Sequence, residues 1–316
     1  MRRSTSPSSQ ITTRGAATVD PRFVLVCLVA LFFITAIGLQ IDGFNGPWYF
    51  KWPWRHAGML KTAAAVAPAI VVFCLALVEI EGNAPRKVLR VLALLVIGNL
   101  LLRYAHLLTY DAGLAQLVVI VKSEMATSYF TDAATIAGVA GWLAGFPPSG
   151  LHLHSLTHPP GPILYYYAWL QLFDADMAAA VGGAMLAAIA ALSVPIFYRF
   201  SALWTQNENL RLWACLFYAS TPATVFFFPE FDQVYPILTM LCVVAWAQAL
   251  DGSWLRACAF GACLAVSLFF AYNLLTVGAF LAMYTLYELA RSGWRKEAWL
   301  RAIAAAVVSL GFVVGA

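Results

Sequence analysis

The chain has 316 residues, of which 62% are hydrophobic and only 11% are charged, and its net charge is +4. An average soluble domain is about 45–50% apolar and about 25% charged, so this composition excludes an ordinary soluble globular protein. A disordered chain is excluded as well, because disorder requires low hydrophobicity and high net charge. The basic residues are scattered between apolar runs, so we expect no nucleic-acid partner. The class that remains is a helical protein that spans a membrane several times.

The N-terminal part of the chain divides into a polar segment and an apolar one. Residues 1–21 are rich in Ser and Thr and are basic, which predicts a disordered cytoplasmic tail. Residues 22–109 are predicted to hold the N-terminal transmembrane helices. The first apolar run, residues 23–41, lacks a cleavage site of small residues, so we interpret it as a retained helix rather than a signal peptide.

Further apolar runs have the length that crosses about 30 Å of hydrocarbon. They lie near residues 57–78, 88–109, 177–198, 210–228, 234–250, 255–272, 274–290 and 299–316. The predicted fold is therefore an all-α integral membrane protein, a polytopic bundle of about nine transmembrane helices, with residues 162–316 as its C-terminal transmembrane part. Residues 162–173 are apolar but short, which favours a re-entrant or interfacial helix.

The basic residues predict the orientation in the membrane. One alternating set of loops holds Arg2, Arg3, Arg14, Arg22, Arg86, Lys87, Arg90, Arg199, Arg211, Arg256, Arg291, Arg295, Lys296 and Arg301. The positive-inside rule places these loops and the N-terminus in the cytoplasm, in a chain that we expect in the plasma (inner) membrane. The histidines and most acidic residues then fall on the extracytoplasmic side. This distribution suggests chemistry on that side, although outer loops also hold polar residues simply because they are not basic.

Residues 110–161 form the one long outer loop, and long loops in compact proteins are often functional. Apolar residues recur at helical spacing at Ile136, Val139, Leu143 and Phe146, which predicts a short helix lying in the membrane surface. Thr131 or Asp132 stands where its N-cap would be. A capping carboxylate stays ionised, so a cap at Asp132 is compatible with a second role in a site.

The end of this loop has the pattern H-x-H-x3-H, formed by His152, His154 and His158. Three histidines can ligate a metal ion, but this spacing matches no standard zinc pattern. Two interpretations stay open. His152 and His154 belong to a divalent metal site, or they are polar residues at the membrane interface.

Prolines surround His158 on its C-terminal side. Pro159 and Pro160 hold the chain extended, and Pro162 stands at the predicted first position of the next helix. His158 would then lie beside free amides with partial positive charge, an arrangement that binds anions. The alternative is a proline turn that only opens a helix.

Two of these segments together resemble a known family. Tyr129, Phe130, Asp132 and Ala133 form the pattern Y-F-x-D-A, and residues 158–162 read H-P-P-G-P before an aromatic helix. This looks like the GT-C glycosyltransferase superfamily, in particular the bacterial dolichyl-phosphate-mannose–protein mannosyltransferase-like and lipid A aminoarabinose transferase-like enzymes. The stretch that ends in Pro229, Glu230, Phe231 and Asp232 is also similar, and the resemblance covers roughly residues 88–250.

The resemblance implies a cell-envelope transferase. A sugar carried on a polyprenyl phosphate passes, with inversion, to a hydroxyl of an acceptor protein, lipid or glycan on the extracytoplasmic side, and some members use a divalent metal. A carboxylate in an outer loop acts as the base. Asp132 is the first candidate, with Glu124 and Asp42 behind it. Asp42 stays open because the family's key aspartate usually lies in the first outer loop, where Asp42 is the only acid.

The chemistry of a lipid-phosphate donor also requires an apolar groove and cations or dipoles for the leaving phosphate. The predicted substrate-binding residues are Lys122, His158, Arg103, Tyr129, Tyr165, Glu230 and Asp232. Tyr165 would line the lipid entrance or belong to an ordinary aromatic belt, and Glu230 and Asp232 would hold a metal or orient the sugar. Three other functions stay open: a transporter or channel, a metal-dependent membrane oxidase or desaturase, and a non-catalytic subunit whose outer loop docks a partner.

Overall fold

The computed structural model describes residues 21–38, 41, 58–82, 87–272 and 276–315. The chain divides into two compact units, residues 1–56 and 57–316. In the first unit the structure describes one long apolar helix, α1 (Pro21–Gly38). The predicted tail up to residue 20 and the candidate base Asp42 lie outside the described residues.

The second unit is helical throughout its described residues, which confirms the all-α prediction. It opens with a hairpin of two long helices, α2 (Met59–Glu81) and α3 (Lys87–Leu108). The region between α3 and the next long helix consists of short helices. They are a 3-10 helix (Gly113–Ala115), α4 (Gln116–Val121), α5 (Tyr129–Ala133), α6 (Val139–Ala144), α7 (Leu153–Leu156) and α8 (Gly161–Leu170).

The remaining helices form the rest of the bundle. They are α9 (Ala175–Ala191), α10 (Ser193–Ser201), α11 (Glu208–Ala219), α12 (Ala223–Phe226), a 3-10 helix (Phe231–Val234), α13 (Tyr235–Ala249), α14 (Trp254–Phe270), α15 (Thr276–Arg291) and α16 (Lys296–Gly315). Because a helix rises 1.5 Å per residue, the 15 residues of α13 place its two ends about 22 Å apart. We call the end that carries residues 109–174 and 220–234 the loop end, and the end that carries residues 250–253 and 291–296 the far end.

Four helical segments of the described chain are long and apolar enough to cross a membrane: Leu60–Glu81, Lys87–Leu108, Ala175–Ser201 and Lys296–Gly315. Exposed side chains support lipid contact, because Leu60, Ile70, Val71 and Val78 of α2 are each more than half exposed. The predicted count of about nine spans is not confirmed. The apolar run at 210–228 is divided into the 12-residue α11 and the short α12, with Pro222 standing before α12.

The predicted surface helix differs from the prediction. Two short helices, α5 and α6, replace one continuous helix, because the backbone becomes extended at Gly138. The N-cap prediction at Thr131 or Asp132 is wrong: α5 begins at Tyr129, after Ser128 in the left-handed region with φ 58°. Asp132 lies inside α5, and its carboxylate contacts another part of the loop instead of the helix's own amides.

The loop end has its own hydrophobic core, in which α5 packs against α8. Tyr129, Phe130 and Ala133 of α5 are buried together with Ile163 and Tyr166 of α8. The α8 helix also meets the end of α14: a Cβ at Gly161 would collide with the backbone oxygen of Phe269 and the ring of Phe270. This close approach fixes the loop that precedes α8 against the bundle.

Candidate functional site

Asp132 and His152 form a hydrogen-bonded pair at the centre of the loop end. Asp132 Oδ1 lies 2.7 Å from His152 Nδ1, and the backbone N–H of His152 donates to Asp132 Oδ2 at 3.4 Å. The Asp132 side chain is only 3% exposed, whereas that of His152 is 39% exposed. The carboxylate is therefore enclosed by protein, and the imidazole is the member of the pair that solvent reaches.

Glu124 approaches the other side of the same imidazole. Glu124 Oε2 lies 3.7 Å from His152 Nε2, and the Glu124 side chain is 60% exposed. The hydrogen bond that His152 donates to Asp132, the charge of Asp132 and the charge of Glu124 raise the pKa of His152 above the ordinary value. Two of the three predicted bases thus meet at His152, a residue that the sequence had suggested only as a metal ligand.

A second group of rings lies on the adjoining face of α5. The rings of His154 and His158 stack with centroids 4.6 Å apart, and Tyr129 contacts them at 5.2 and 5.5 Å. Tyr129 is fully buried, and its hydroxyl interacts with that of Tyr235, whereas His154 Nε2 is a buried atom without a hydrogen-bond partner among the described residues. Burial, followed by the neighbouring His158, lowers the pKa of His154, so this imidazole tends to remain neutral. A buried polar atom without a partner needs an explanation, and a bound ligand or water would supply one.

His158 is fixed by its own loop. Its Nδ1 lies 2.9 Å from the backbone oxygen of His154 and 3.2 Å from Thr157 Oγ1. The prediction that Pro162 begins the next helix is off by one residue, because α8 begins at Gly161 with Pro160 at the N-cap. The prediction that Pro159 and Pro160 hold the chain extended is wrong at Pro160, whose backbone is already helical with φ −67° and ψ −19°.

The segment before α13 brings Glu230 and Asp232 to this end. Burial, followed by the charge of Asp232, raises the pKa of Glu230 to about 7. Asp232 is exposed, and its charge acts on both Tyr129 and His154. Between the two acids, Phe231 stacks on Phe270 and contacts the Tyr129 ring edge-on. Asp232 therefore lies near the stacked histidines, while the charge of Glu230 acts on Tyr166.

Arg103 serves a different purpose from the predicted one. It is 1% exposed; its Nε donates to Asn99 Oδ1 and its Nη1 donates to Gln233 Oε1, both at 2.8 Å. Asn99 in turn donates to the backbone oxygen of Ala219 at 2.7 Å. Arg103 thus holds the segment with Glu230 and Asp232 against α3. Sequence reasoning missed Asn99 and Gln233, although Asn99 and Arg103, one helical turn apart within an apolar run, were a usable signal.

Two more predicted binding residues are engaged elsewhere. Lys122 pairs with Asp176 at 2.8 Å on the surface and so connects α4 to α9. The hydroxyl of Tyr165 donates to the backbone oxygen of Gly182 at 2.7 Å, which connects α8 to α9. Both side chains stabilise the frame around the site, and neither presents a free polar group to it.

The metal hypothesis finds no support in the described part of the chain. No group of three or more His, Cys, Asp or Glu side chains there is arranged to hold an ion. His152 is bonded to Asp132, while His154 is stacked on His158, so the three loop histidines do not converge on one point. The divalent metal used by some members of the resembled family does not fit this donor set.

Comparison of the chain with models of protein families, with curated proteins and with solved structures finds no match. The likeness to GT-C glycosyltransferases therefore rests on the sequence motifs quoted above alone.

Proposed function

We propose that the protein is a membrane glycosyltransferase that moves a sugar from a polyprenyl-phosphate carrier to a hydroxyl of an acceptor protein, lipid or glycan. In this proposal the chain crosses the membrane about nine times, with the N-terminus in the cytoplasm. The loop end faces the extracytoplasmic side, and the lipid carrier reaches it from the bilayer. The sorting of basic residues supports the orientation.

The observation that carries the proposal is the constellation of Asp132, His152 and Glu124. A buried carboxylate bonded to Nδ1 of a partly exposed imidazole leaves Nε2 as the basic atom that faces outward. This is the arrangement in which a carboxylate orients a histidine and stabilises its charged form. Asp132 therefore acts through His152, a change from the direct base that the sequence suggested.

The proposed transfer step balances in protons and electrons with these residues alone. The acceptor hydroxyl gives its proton to His152 Nε2, and its oxygen forms a bond to the anomeric carbon of the sugar. The bond from that carbon to the phosphate oxygen breaks, and the leaving phosphate keeps the electron pair. Asp132 holds the proton on Nδ1 and stabilises the imidazolium that results, while Glu124 adds a second negative charge beside it.

The stacked histidines supply polar contacts for the carrier. Tyr129 and His158 lie next to each other, and His154 Nε2 has no hydrogen-bond partner among the described residues. A phosphate whose negative charge grows as it leaves is stabilised by hydrogen-bond donors already in place. We assign Tyr129 and His158 to this role, and we assign Glu230 and Asp232 to the hydroxyls of the sugar.

The test is transfer from a labelled polyprenyl-phosphate sugar by membranes that carry wild type or Asp132→Asn. We expect transfer by wild type and a decrease of at least about 100-fold in the variant, because a positioned base contributes that much. Asp111→Asn, an exposed carboxylate of the same loop, is the matched control and should transfer at the wild-type rate.

A third variant separates the two possible roles of Asp132. If the carboxylate acts through the imidazole, His152→Gln should lose as much transfer activity as Asp132→Asn. The double variant should then lose little more activity than either single variant. Near-normal transfer by His152→Gln would leave Asp132 as a direct base. Absence of transfer by wild type from every lipid-linked sugar would favour a transporter or a docking subunit.

A further inference from the structure

A polar cleft lies at the far end of the bundle, away from the candidate site. It has a volume of about 390 Å³ and is bordered by parts of α13, α15 and α16 and by the residues just after α10. Its polar lining comprises Gln248, Asp251, Glu288, Arg291, Ser292 and Arg301. Two carboxylates and two guanidinium groups therefore share one cleft, which suits a ligand that carries both signs of charge.

The charges of this cleft are unequally satisfied. Asp251 accepts from Arg256 at 2.8 Å, and Glu288 lies 3.7 Å from Arg291, a loose contact. Arg301 has no carboxylate within ion-pair distance in the described part of the chain. Its side chain passes over Gly252, where φ is +92° and an added Cβ would lie 3.0 Å from Arg301 Cδ. Arg301 is thus placed in the cleft with its charge available.

The end of α15 favours a cation on its side of the cleft. Helix α15 ends at Arg291, and the C-terminus of a helix carries partial negative charge. Glu288 lies in the last turn of α15 and adds a full charge. One side of the cleft therefore attracts an ammonium group, and the Arg301 side attracts a phosphate.

An apolar cavity adjoins the cleft. It has a volume of about 370 Å³ among α13, α14, α15 and α16, and its lining includes Phe260, Leu264 and Leu281. Thr285 lines both spaces, and its hydroxyl accepts from Trp246 Nε1 at 2.8 Å. A polar cleft that continues into an apolar cavity matches a molecule with a charged head and a hydrocarbon tail.

Exposed tryptophans mark the depth of the cleft in the membrane. Trp204, Trp254, Trp294 and Trp299 all lie at the far end and are between 41% and 70% exposed. Tryptophan collects at the level of the lipid headgroups. The cleft therefore lies where headgroups are, and the apolar cavity lies on the hydrocarbon side.

We propose that this cleft and cavity bind one phospholipid whose headgroup has a phosphate and a primary ammonium group, as in phosphatidylethanolamine. Arg301 binds the phosphate, Glu288 and the end of α15 bind the ammonium, and one acyl chain enters the apolar cavity. A choline headgroup has no N–H to donate to Glu288, and a glycerol headgroup leaves Glu288 without a cation. The site is separate from the transferase proposal and does not depend on it.

The test is native mass spectrometry of the purified full chain with equimolar phosphatidylethanolamine, phosphatidylcholine and phosphatidylglycerol of matched acyl chains. We expect one phosphatidylethanolamine bound in preference to the other two. Arg301→Gln should weaken the binding of phosphatidylethanolamine about tenfold, the equivalent of one charge-assisted hydrogen bond. The matched control is Lys296→Gln, an exposed cation at the same end that does not line the cleft, and it should bind as wild type does.

A second variant tests the ammonium side. Glu288→Gln should keep a bound phospholipid but lose the preference for ethanolamine over choline. Equal binding of all three lipids, preference for phosphatidylglycerol, or equal weakening by Lys296→Gln and Arg301→Gln would overturn the proposal. None of these measurements uses transferase activity, so their outcome is independent of that assignment.

Discussion

The two ends of the bundle use contacts of nearly the same length in different surroundings. At the loop end, Asp132 lies 2.7 Å from His152 with a side chain that is 3% exposed. At the far end, Asp251 lies 2.8 Å from Arg256 with a side chain that is 69% exposed. Distance does not distinguish the pairs, but burial does, because solvent screens the exposed pair and leaves it a small contribution to stability.

The difference in burial suits the two ends to different functions. A pair with a buried carboxylate keeps one geometry, which a reaction needs, and removing the imidazole would leave that carboxylate buried without its partner. An exposed pair exchanges easily for water or for a ligand of the same charge. We therefore place the chemistry at the loop end and the binding of lipid headgroups at the far end.

The largest effect expected on stability comes from Gly161, where α8 touches α14. Gly161→Ala adds a Cβ that would collide with the backbone oxygen of Phe269, and backbone cannot move aside as a side chain can. We expect a loss of about 3 kcal/mol in the free energy of unfolding, at the upper range for overpacking. The measurement is the melting temperature of the detergent-purified protein.

The matched control for this substitution lies in the same loop. Gly141, in α6, has no heavy atom within 4 Å of the position that a Cβ would take. Gly141→Ala should leave stability unchanged or raise it by up to about 1 kcal/mol, since alanine favours a helix. Similar melting temperatures for Gly161→Ala and wild type would mean that the loop end is not held against α14.

The sequence predicted the loop end in outline, because its signals are local. Y-F-x-D-A and H-P-P-G-P are short motifs. The helix that begins at Gly161 follows prolines whose fixed φ angles suit a helix start. The contact between Asp132 and His152 joins residues 20 positions apart in the chain, and no periodicity reports such a pairing. The same limit hid Gln233, which lies 130 residues from Arg103.

The span count predicted from hydropathy is not confirmed by the described helices, and the physical reason lies in how apolar runs are divided. An apolar run predicts burial in lipid or protein, but it does not say where prolines and short turns divide the run into shorter helices. The run at 210–228 contains Pro222 and becomes α11 and α12, and α13, with 15 residues, is shorter than the span length of about 20.

The buried network around Arg103 gives the next largest effect. Asn99→Ala removes the acceptor of Arg103 Nε and the donor to the backbone oxygen of Ala219. We expect the free energy of unfolding to fall by about 2 kcal/mol, because buried polar groups are left without hydrogen-bond partners. Transferase activity should fall with it, since the network holds the segment that carries Glu230. Thermal unfolding and the transfer assay measure the two effects.

An exposed ion pair of the same end supplies the comparison. Lys122→Gln breaks the 2.8 Å pair with Asp176, whose side chain is 78% exposed. We expect the free energy of unfolding to fall by at most about 0.5 kcal/mol, as it does for other surface ion pairs. If Lys122→Gln and Asn99→Ala shift the melting temperature equally, burial is not what separates the contacts of this molecule.

The last prediction concerns the contribution of Glu230 to the pH dependence of stability. The pKa of Glu230 is raised from 4.5 to about 7 in the folded protein, chiefly by burial, so the folded state holds a proton that the unfolded state releases. Stability should therefore fall as the pH rises between 4.5 and 7. The fall is at most about 1.4 kcal/mol for one pH unit from this residue. The pKa of His152 is also raised, so this residue lowers stability with rising pH as well, but only above about pH 6.5.

Between pH 5 and pH 6.5 the lowered pKa of His154 acts in the opposite direction, because the unfolded state then binds a proton that the folded state does not. The contribution of Glu230 is therefore the difference between the melting-temperature profiles of wild type and Glu230→Gln. Glu230→Gln cannot titrate at this position, so its stability should fall less with rising pH than that of wild type, and the variant should be the more stable of the two at the upper end. Asp232→Asn removes only the secondary cause of the shift, so it should keep the slope and move its midpoint to lower pH. Parallel profiles for Glu230→Gln and wild type would show that the Glu230 carboxyl is as well solvated as the exposed acids of the far end, and the contrast between the two ends would then rest on Asp132 alone.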